Sequence, residues 1–215
     1  MTSLKKTMLL LLLLVAAVGT YAAPENCDGL NKTVPAKDLH KIYGDWVLVW
    51  SVANHQEGWD LLPNVSSSHV ELKLLPDNNT ISFLERNMFL NNSCIKFDIN
   101  MSMPTDPEEH TLNSSSAMVE TDGVPTVYNE NGQAQFFETC EDCLTMMYTG
   151  KAEGFLLVYK REGNHQDVEK MKEDHNNHKK LAECMGFPQE IIFTYDGAAD
   201  FCQKKSSPEV VAEEA

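Results

Sequence analysis

The chain has 215 residues, with 17 Lys and Arg against 32 Asp and Glu, which gives a formal net charge of −15 at pH 7. A surface this acidic repels nucleic acid and anionic lipid, so neither is an expected partner. High net charge also keeps a protein in solution at high concentration, and this simpler consequence carries more weight.

The N-terminus has the layout of a secretory signal peptide. Two lysines precede an apolar run at residues 8–18, and small residues follow up to Ala23. A membrane-spanning helix needs roughly 20 apolar residues, so a signal anchor is the less favoured alternative. We expect cleavage after Ala22, which gives a signal peptide at residues 1–22 and an exported product without membrane insertion.

The cysteines indicate an oxidising compartment. The mature chain is long enough for one domain with a sizeable core, and its six cysteines are expected to pair after export. Six cysteines allow 15 connectivities, and spacing alone does not choose among them. They are Cys27, Cys94, Cys140, Cys143, Cys184 and Cys202.

The N-terminal half is rich in Asn-x-Ser/Thr sequons, which predicts a glycoprotein. A glycan must face water, so a sequon on a strand also marks the outward face of that strand. The sequons are at Asn31, Asn64, Asn78, Asn91, Asn100 and Asn113.

Strands dominate the first two thirds of the chain. An apolar, Val- and Trp-rich run predicts a strand at residues 44–53, and alternating apolar residues predict strands at 70–74, 81–88 and 95–103. In the last of these, the sequon Asn100 lies on the polar side of the alternation, so the apolar side must face inward.

The later strands are shorter. Residues 111–133 have the weakest pattern and predict two short strands. Residues 136–139 and 144–149 flank Cys140-Glu141-Asp142-Cys143, a candidate hairpin turn, and residues 155–161 form the last long strand. Short strands joined by hairpin turns at even spacing predict an antiparallel barrel or sandwich.

The period then changes to that of a helix. Apolar residues recur at three- and four-residue steps over residues 168–185, which predicts one amphipathic helix packed outside the sheet. Asn164, with Asp167 three residues later, resembles a helix N-cap, and Gly186 marks the end. Residues 188–195 are expected to return as a short strand.

Gly44-Asp45-Trp46, at the start of the first strand, resembles the Gly-x-Trp signature of the lipocalins. Tyr159-Lys160-Arg161, at the end of the last long strand, is similar to the final motif of this family, whose arginine packs across that tryptophan. A cation–π contact of Arg161 with Trp46 would close one end of the barrel and is worth about 0.5 to 2 kcal/mol. Gly44, Trp46 and Arg161 are therefore expected to be structural residues rather than ligand contacts.

Within the lipocalins, the chain resembles the alpha-1-acid glycoprotein (orosomucoid) branch, particularly the fish saxitoxin and tetrodotoxin-binding and tributyltin-binding proteins. Residues 181–184 and 191–196 carry this resemblance most specifically. It implies an all-β fold, an eight-stranded antiparallel up-and-down barrel with one C-terminal α-helix packed outside. The lipocalin domain is expected at residues 23–202, followed by a disordered acidic tail at residues 203–215.

The family's disulfide pairing, carried over residue by residue, joins Cys27 to Cys184 and Cys94 to Cys202. The second bridge would tie the C-terminal segment to the barrel wall. For a loop of roughly 100 residues, the chain-entropy model gives about 4.7 kcal/mol of stabilisation.

Cys140 and Cys143 have no counterpart in the family's two-bridge pattern, and we expect a third, local disulfide between them. A metal site at this pair would need further ligands, and none stands nearby in the sequence. His175 and His178 share a helix face, but two imidazoles without a third ligand are interpreted as exposed helix residues. We expect no metal site and no cofactor.

An eight-stranded barrel has an interior just large enough for one small ligand, so an apolar interior that is not filled forms a binding cup. The two tyrosines of the cup can orient a bound molecule by hydrogen bonding. Glu71 and Glu85 would meet a cation if either turned inward, although solvated surface charges are commoner. The predicted ligand-binding residues are Leu48, Trp50, Leu72, Leu74, Phe83, Phe97, Tyr148, Leu157 and Tyr159.

The resemblance implies a secreted, monomeric, plasma-type carrier of small hydrophobic or amphipathic ligands, among them xenobiotics and toxins. A lipocalin isomerase would need a free thiol near the barrel mouth, and all six cysteines have expected partners, so we predict that the chain is not an enzyme. The alternative is a glycoprotein acute-phase or immune modulator that acts through protein or glycan contacts. Blocking the cup would leave the activity of such a modulator unchanged.

Overall fold

The computed structural model describes residues 27, 32–121, 123–128, 131–137, 139–151, 154–197 and 202. The predicted signal peptide at residues 1–22, the sequon at Asn31 and the predicted tail at residues 203–215 lie outside the described residues.

The described residues form ten strands, three α-helices and two 3-10 helices. The strands are β1 (Gly44–Ala53), β2 (Val65–Leu74), β3 (Thr80–Phe89), β4 (Cys94–Ser102), β5 (Thr111–Thr121), β6 (Val124–Val127), β7 (Gln133–Phe137), β8 (Cys143–Thr149), β9 (Gly154–Arg161) and β10 (Ile192–Thr194). The α-helices are α1 (Gln56–Leu61), α2 (Val168–Glu173) and α3 (His175–Cys184), and the 3-10 helices are Ala36–Ile42 and Leu62–Asn64.

Eight of these strands close into a barrel. Their order is β1-β2-β3-β4-β5-β7-β8-β9, and β9 pairs back with β1, so the sheet closes. All of these pairings are antiparallel, as expected for strands that follow one another through hairpin turns. β6 extends the β5 hairpin, and β10 pairs with the second half of β1. The predicted eight-stranded antiparallel barrel is confirmed.

β5 is longer than the sequence pattern predicted. It runs for 11 residues, and its register against β4 shifts between Asn100 and Met101. Because such a shift changes which residues face inward, the alternation of apolar residues breaks within the serine run at residues 114–116. The two short strands that we expected over residues 111–133 are therefore one long strand followed by the four-residue β6.

Trp46 and Arg161 close one end of the barrel, which we call the closed end. The guanidinium carbon of Arg161 lies 4.1 Å from the centroid of the Trp46 ring, and Trp46 Nε1 donates a 2.8 Å hydrogen bond to the carbonyl oxygen of Ile42. Ile42 and Leu39, both from the 3-10 helix before β1, are almost completely buried here. The contact predicted from the two family motifs is confirmed.

Gly44 is fixed by both its backbone conformation and its neighbour. Its φ of 122° lies in the region that favours glycine, and an added Cβ would come within 2.8 Å of an Arg161 guanidinium nitrogen. We expect Gly44→Ala to lower the free energy of unfolding by about 1–3 kcal/mol, measured by urea denaturation. Gly123→Ala is the matched control, because Gly123 also has a positive φ but has open space around its Cβ position. Equal losses in the two variants would mean that the approach of Arg161 imposes no constraint.

The helical segment after β9 differs in detail from the prediction. It is divided at Asp174 into α2 and α3, and its N-cap is Asp167, whose carboxylate accepts a 3.0 Å hydrogen bond from the backbone N–H of Lys170. The helix thus begins three residues later than a cap at Asn164 would place it. In the described residues, no helix is both long enough and apolar enough to span a membrane.

The three disulfides join the pairs that we expected. The structure describes all six cysteines, and each is bonded, so no cysteine is left to act as a free nucleophile. One bridge ties the N-terminal segment to the end of α3, one ties the start of β4 to the C-terminal segment, and one closes the β7–β8 turn. The pairs are Cys27–Cys184, Cys94–Cys202 and Cys140–Cys143.

The described sequons lie at the surface. Four of the asparagines are exposed, and the fifth, on β4, is half-buried and donates a 3.1 Å hydrogen bond to the Ser116 hydroxyl on the neighbouring strand. The exposed asparagines leave room for a glycan, and glycosylation stays a prediction. The exposed residues are Asn64, Asn78, Asn91 and Asn113, and the half-buried residue is Asn100.

Candidate ligand-binding site

A cavity of about 260 Å³ lies inside the barrel, away from the closed end. The segment that connects β1 to β2 lines it with residues of α1 and the following 3-10 helix, including Gly58, Leu61 and Leu62. The remaining wall comes from the inward faces of the strands and is mostly apolar. Such a hollow can enclose most of a small molecule and bury its apolar surface.

Five of the nine predicted ligand-binding residues line this cavity. They belong to β1, β3, β4, β8 and β9, so five of the eight barrel strands contribute. They are Leu48, Phe83, Phe97, Tyr148 and Leu157.

Three further predicted residues face inward but pack into the core at the closed end. Leu72 pairs with Phe83, and Leu74 lies two residues further toward the end of β2. Tyr159 pairs with Leu48 and is completely buried. These side chains support the base of the cavity and are not part of its lining.

Trp50 was predicted to face the cavity, and this prediction is wrong. The pairing of β1 with β9 shifts between Leu48 and Trp50, so the residues of β1 after this bulge change face. Trp50 consequently points to the outer side of the barrel, where its ring centroid lies 5.6 Å from that of His178 on α3. The bulge lies within a continuous apolar run, which contains no polar residue to indicate the change of face.

His178 and His175 are half-buried, whereas we expected exposed helix residues. Their ring centroids lie 6.1 Å apart. Burial against the barrel lowers the pKa of His178 to about 4, so this side chain is neutral at physiological pH. The pair therefore belongs to the packing of α3 on the barrel.

Glu85 is an acidic residue in the cavity wall. It pairs with Val70 on one side and with Phe97 on the other, so it shares their inward face. Its position two residues after Phe83 in a regular strand is the sequence signal for this orientation. Glu71, by contrast, faces outward, where its carboxylate lies 3.5 Å from the Lys73 ammonium.

The Glu85 carboxyl group is held in a poorly hydrated environment. Burial raises its pKa to about 7, although hydrogen bonds from Ser68 and Asn87 oppose the shift. The Ser68 hydroxyl donates to Glu85 at 3.2 Å. Around pH 7 this carboxyl group therefore exchanges between an anion and a neutral acid.

The Tyr159 hydroxyl lies close enough to Glu85 to be affected by its charge. Burial, and secondarily the charge of Glu85, raise the pKa of Tyr159 well above its ordinary value, so the phenol stays protonated. Among the described residues this hydroxyl has no hydrogen-bond partner. An apolar cavity with an acidic group and an unpaired phenol near its base suits a molecule with an apolar body and a polar head.

A second polar group lies on the outer face of the barrel. His69 Nε2 is 3.3 Å from carboxylate oxygens of both Asp45 and Glu162, a set whose ligand atoms could surround a metal ion. A guanidinium nitrogen of Arg86 lies 3.2 Å from His69 Nδ1. Because guanidinium only donates, Nδ1 accepts, and Nε2 carries the ring proton toward the carboxylates. The group is therefore best described as a hydrogen-bond network that joins β1, β2 and β3 to the residue that follows β9.

The closed eight-stranded barrel, the Trp46–Arg161 contact and the internal cavity together define a lipocalin fold. Solved structures with this fold include lipocalin 12 from rat epididymis, with a TM-score of 0.58, 12% identity and coverage of 79% of this chain and 90% of that one. The siderocalin Ex-FABP matches with a TM-score of 0.52, 11% identity and coverage of 74% of this chain and 97% of that one. No family model matches the chain.

In sequence, the chain is similar to Saxitoxin and tetrodotoxin-binding proteins 1 and 2 of Takifugu pardalis. It is 46% identical to each over 202 residues, which cover 94% of this chain and 51% of each relative. The chain thus spans about half the length of these curated relatives. The predicted resemblance to the lipocalins and to the fish saxitoxin and tetrodotoxin-binding proteins is confirmed, and these relatives are named for binding rather than for catalysis.

Proposed function

We propose that this chain is a secreted carrier that binds one small amphipathic ligand inside its barrel. In this proposal the apolar body of the ligand packs against Phe83, Phe97 and Leu157, and a cationic or hydrogen-bond-donating head reaches Glu85. The observation that carries the proposal is the inward Glu85 carboxyl group, with its raised pKa, in a cavity that is otherwise mostly apolar.

The extracellular setting is supported by three features of the chain. Its first 22 residues resemble a signal peptide, three disulfides are formed, and exposed sequons offer glycan acceptors. We propose a blood plasma or a similar fluid as the place of action, and a monomer as the working form.

The names of the relatives suggest the class of ligand. Proteins 46% identical to this chain are named for binding saxitoxin and tetrodotoxin, so we propose toxins and other xenobiotics as ligands. The chain spans about half of each relative, so this proposal requires that one barrel bind such a molecule by itself.

A larger side chain at Leu157 tests the location of the site. Leu157 lines the cavity and is 9% exposed, so Leu157→Trp should fill the space that a ligand needs. We expect the affinity for the neutral fluorescent probe N-phenyl-1-naphthylamine to fall by about tenfold, because overpacking excludes the ring system. Fluorescence titration measures the effect.

Leu157→Met is the matched control, because it nearly conserves side-chain volume and should leave the affinity within about twofold. Circular dichroism establishes that both variants remain folded. Unchanged probe binding by a folded Leu157→Trp variant would place the site outside the cavity and contradict the proposal.

A further inference from the structure

The Cys140–Cys143 disulfide differs from the other two in the loop that it closes. Its cysteines are 3 residues apart in sequence, whereas the other pairs are 157 and 108 residues apart. The constraint that a disulfide places on the unfolded chain grows with loop length, so this bridge contributes least to the stability of the fold. Its presence is not explained by a need to hold the barrel together.

The surroundings of this disulfide are those of a reactive one. Cys140 is exposed and Cys143 is half-buried at the start of β8. Lys160 pairs directly with Cys143 across β8 and β9, and its ammonium lies 3.1 Å from Cys143 Sγ and 3.6 Å from Cys140 Sγ. A positive charge beside a sulfur stabilises its thiolate, and a sulfur that leaves as a stable thiolate leaves faster.

The approach to the disulfide is open. A cleft on the outside of the closed end is lined by both cysteines and by Lys41, Phe137 and Leu144. Because Cys140 is exposed at this cleft, its sulfur is accessible to a small thiol. Cys202 of the Cys94–Cys202 pair is only 1% exposed, so attack on its sulfur requires local opening of the structure.

We propose that Cys140–Cys143 is a site of thiol–disulfide exchange with small extracellular thiols. The thiolate of the small molecule attacks the exposed Cys140 Sγ and forms a mixed disulfide there. The electron pair of the broken S–S bond goes to Cys143 Sγ, which becomes a thiolate beside the Lys160 ammonium. A second small thiol then attacks the mixed disulfide, so that two thiols are oxidised to one disulfide and the protein gains a Cys140–Cys143 dithiol.

The proposal is tested on the full mature protein with reduced glutathione over a graded concentration range. After quenching, free thiols are alkylated and identified by peptide mass spectrometry, and circular dichroism follows the fold. We expect labelling of Cys140 and Cys143 at glutathione concentrations that leave the other four cysteines unlabelled and the barrel folded. Reduction of all three disulfides together, only as the barrel unfolds, would overturn the proposal.

Variants of Lys160 test the role of the ammonium. We expect Lys160→Gln to slow the reduction about three- to tenfold and Lys160→Arg to restore most of the rate, because positive charge stabilises the leaving thiolate. Lys96→Gln is the matched control, since Lys96 is a half-buried strand lysine paired with Glu120 at 2.7 Å on β4, which does not pair with the strand that carries Cys143. Equal rates in wild type and Lys160→Gln would refute the role of the charge.

A third variant captures the intermediate. In Cys143→Ser, Cys140 has no partner, so oxidised glutathione should convert it to a stable mixed disulfide that mass spectrometry detects. If Cys140 in this folded variant forms no glutathione adduct, the proposed point of attack is wrong.

Discussion

Replacing Glu85 by Gln is expected to lower the affinity for a cationic ligand about 30-fold at pH 8, while a neutral ligand of the same shape keeps its affinity within about twofold. A buried charge-assisted hydrogen bond contributes about 1.5–3 kcal/mol, and the variant retains the volume of the side chain but not its charge. The ligand pair 1-naphthylmethylamine and 1-naphthalenemethanol suits this comparison, with affinities measured by isothermal titration calorimetry.

Glu71→Gln is the control for this experiment, because it removes an identical charge from the outer face of the neighbouring strand. It should change both affinities by less than twofold. If Glu71→Gln weakens cation binding as much as Glu85→Gln does, the effect comes from the overall charge of the protein and not from the cavity.

The raised pKa of Glu85 also sets the direction of the pH dependence. With a pKa of about 7 in the folded protein, the carboxylate is mostly ionised at pH 8 and mostly protonated at pH 6. Cation affinity should therefore fall about tenfold between pH 8 and pH 6, whereas the Glu85→Gln variant should show a flat profile. An affinity that rises toward acid pH would contradict the assignment of Glu85 as the cation partner.

The same shift affects folding stability. The pKa of Glu85 is raised from 4.5 to about 7, so the folded state binds more protons than the unfolded state between these values. The contribution of this carboxyl group to stability is therefore fully present below pH 4.5 and is lost as pH rises through 7. In urea denaturation, we expect the free energy of unfolding of Glu85→Gln to be about 3 kcal/mol higher than that of wild type at pH 8 and equal to it at pH 4.

Removal of the Cys94–Cys202 disulfide is expected to cause a large loss of stability. The bridge ties the C-terminal segment to the start of β4 across 108 residues of sequence, and Cys202 is buried. The chain-entropy model gives about 4.7 kcal/mol for a loop of this length, a large part of the stability of one domain. The double variant Cys94→Ser, Cys202→Ser should lose about 3–5 kcal/mol in urea denaturation.

The double variant Cys140→Ser, Cys143→Ser provides the comparison, because it removes the same chemical bond from a loop of 3 residues. It should lose about 1.6 kcal/mol in the same model. Similar losses in the two double variants would mean that loop closure does not explain the stabilisation.

The barrel could be predicted from the sequence because its strands alternate regularly. Antiparallel strands with one buried face repeat every two residues, and the inward positions of Phe83 and Phe97 follow from that period. The closed end could also be predicted, since the two family motifs place an arginine and a tryptophan at positions where a cation–π contact forms.

The remaining features of the fold and the site depend on contacts between distant residues, which a local sequence pattern does not predict. The bulge that turns Trp50 outward lies in an unbroken apolar run, so its sequence is compatible with either face. The orientation of Glu85 followed from the alternation, but a general preference for solvated carboxylates opposed it. The network of Asp45, His69 and Glu162 joins residues that are far apart in sequence, and only closure of β9 on β1 brings them together.

The most direct test of the central claim is the position of a ligand relative to two neighbouring methionines on β8. Met146 lines the cavity, whereas Met147 points to the outer side of the same strand. With methyl-labelled methionine and 1-naphthylmethylamine bound, we predict intermolecular nuclear Overhauser effects to the Met146 methyl group and none to that of Met147. Contacts to Met147 without contacts to Met146 would show that the molecule binds outside the barrel, and the account would be wrong.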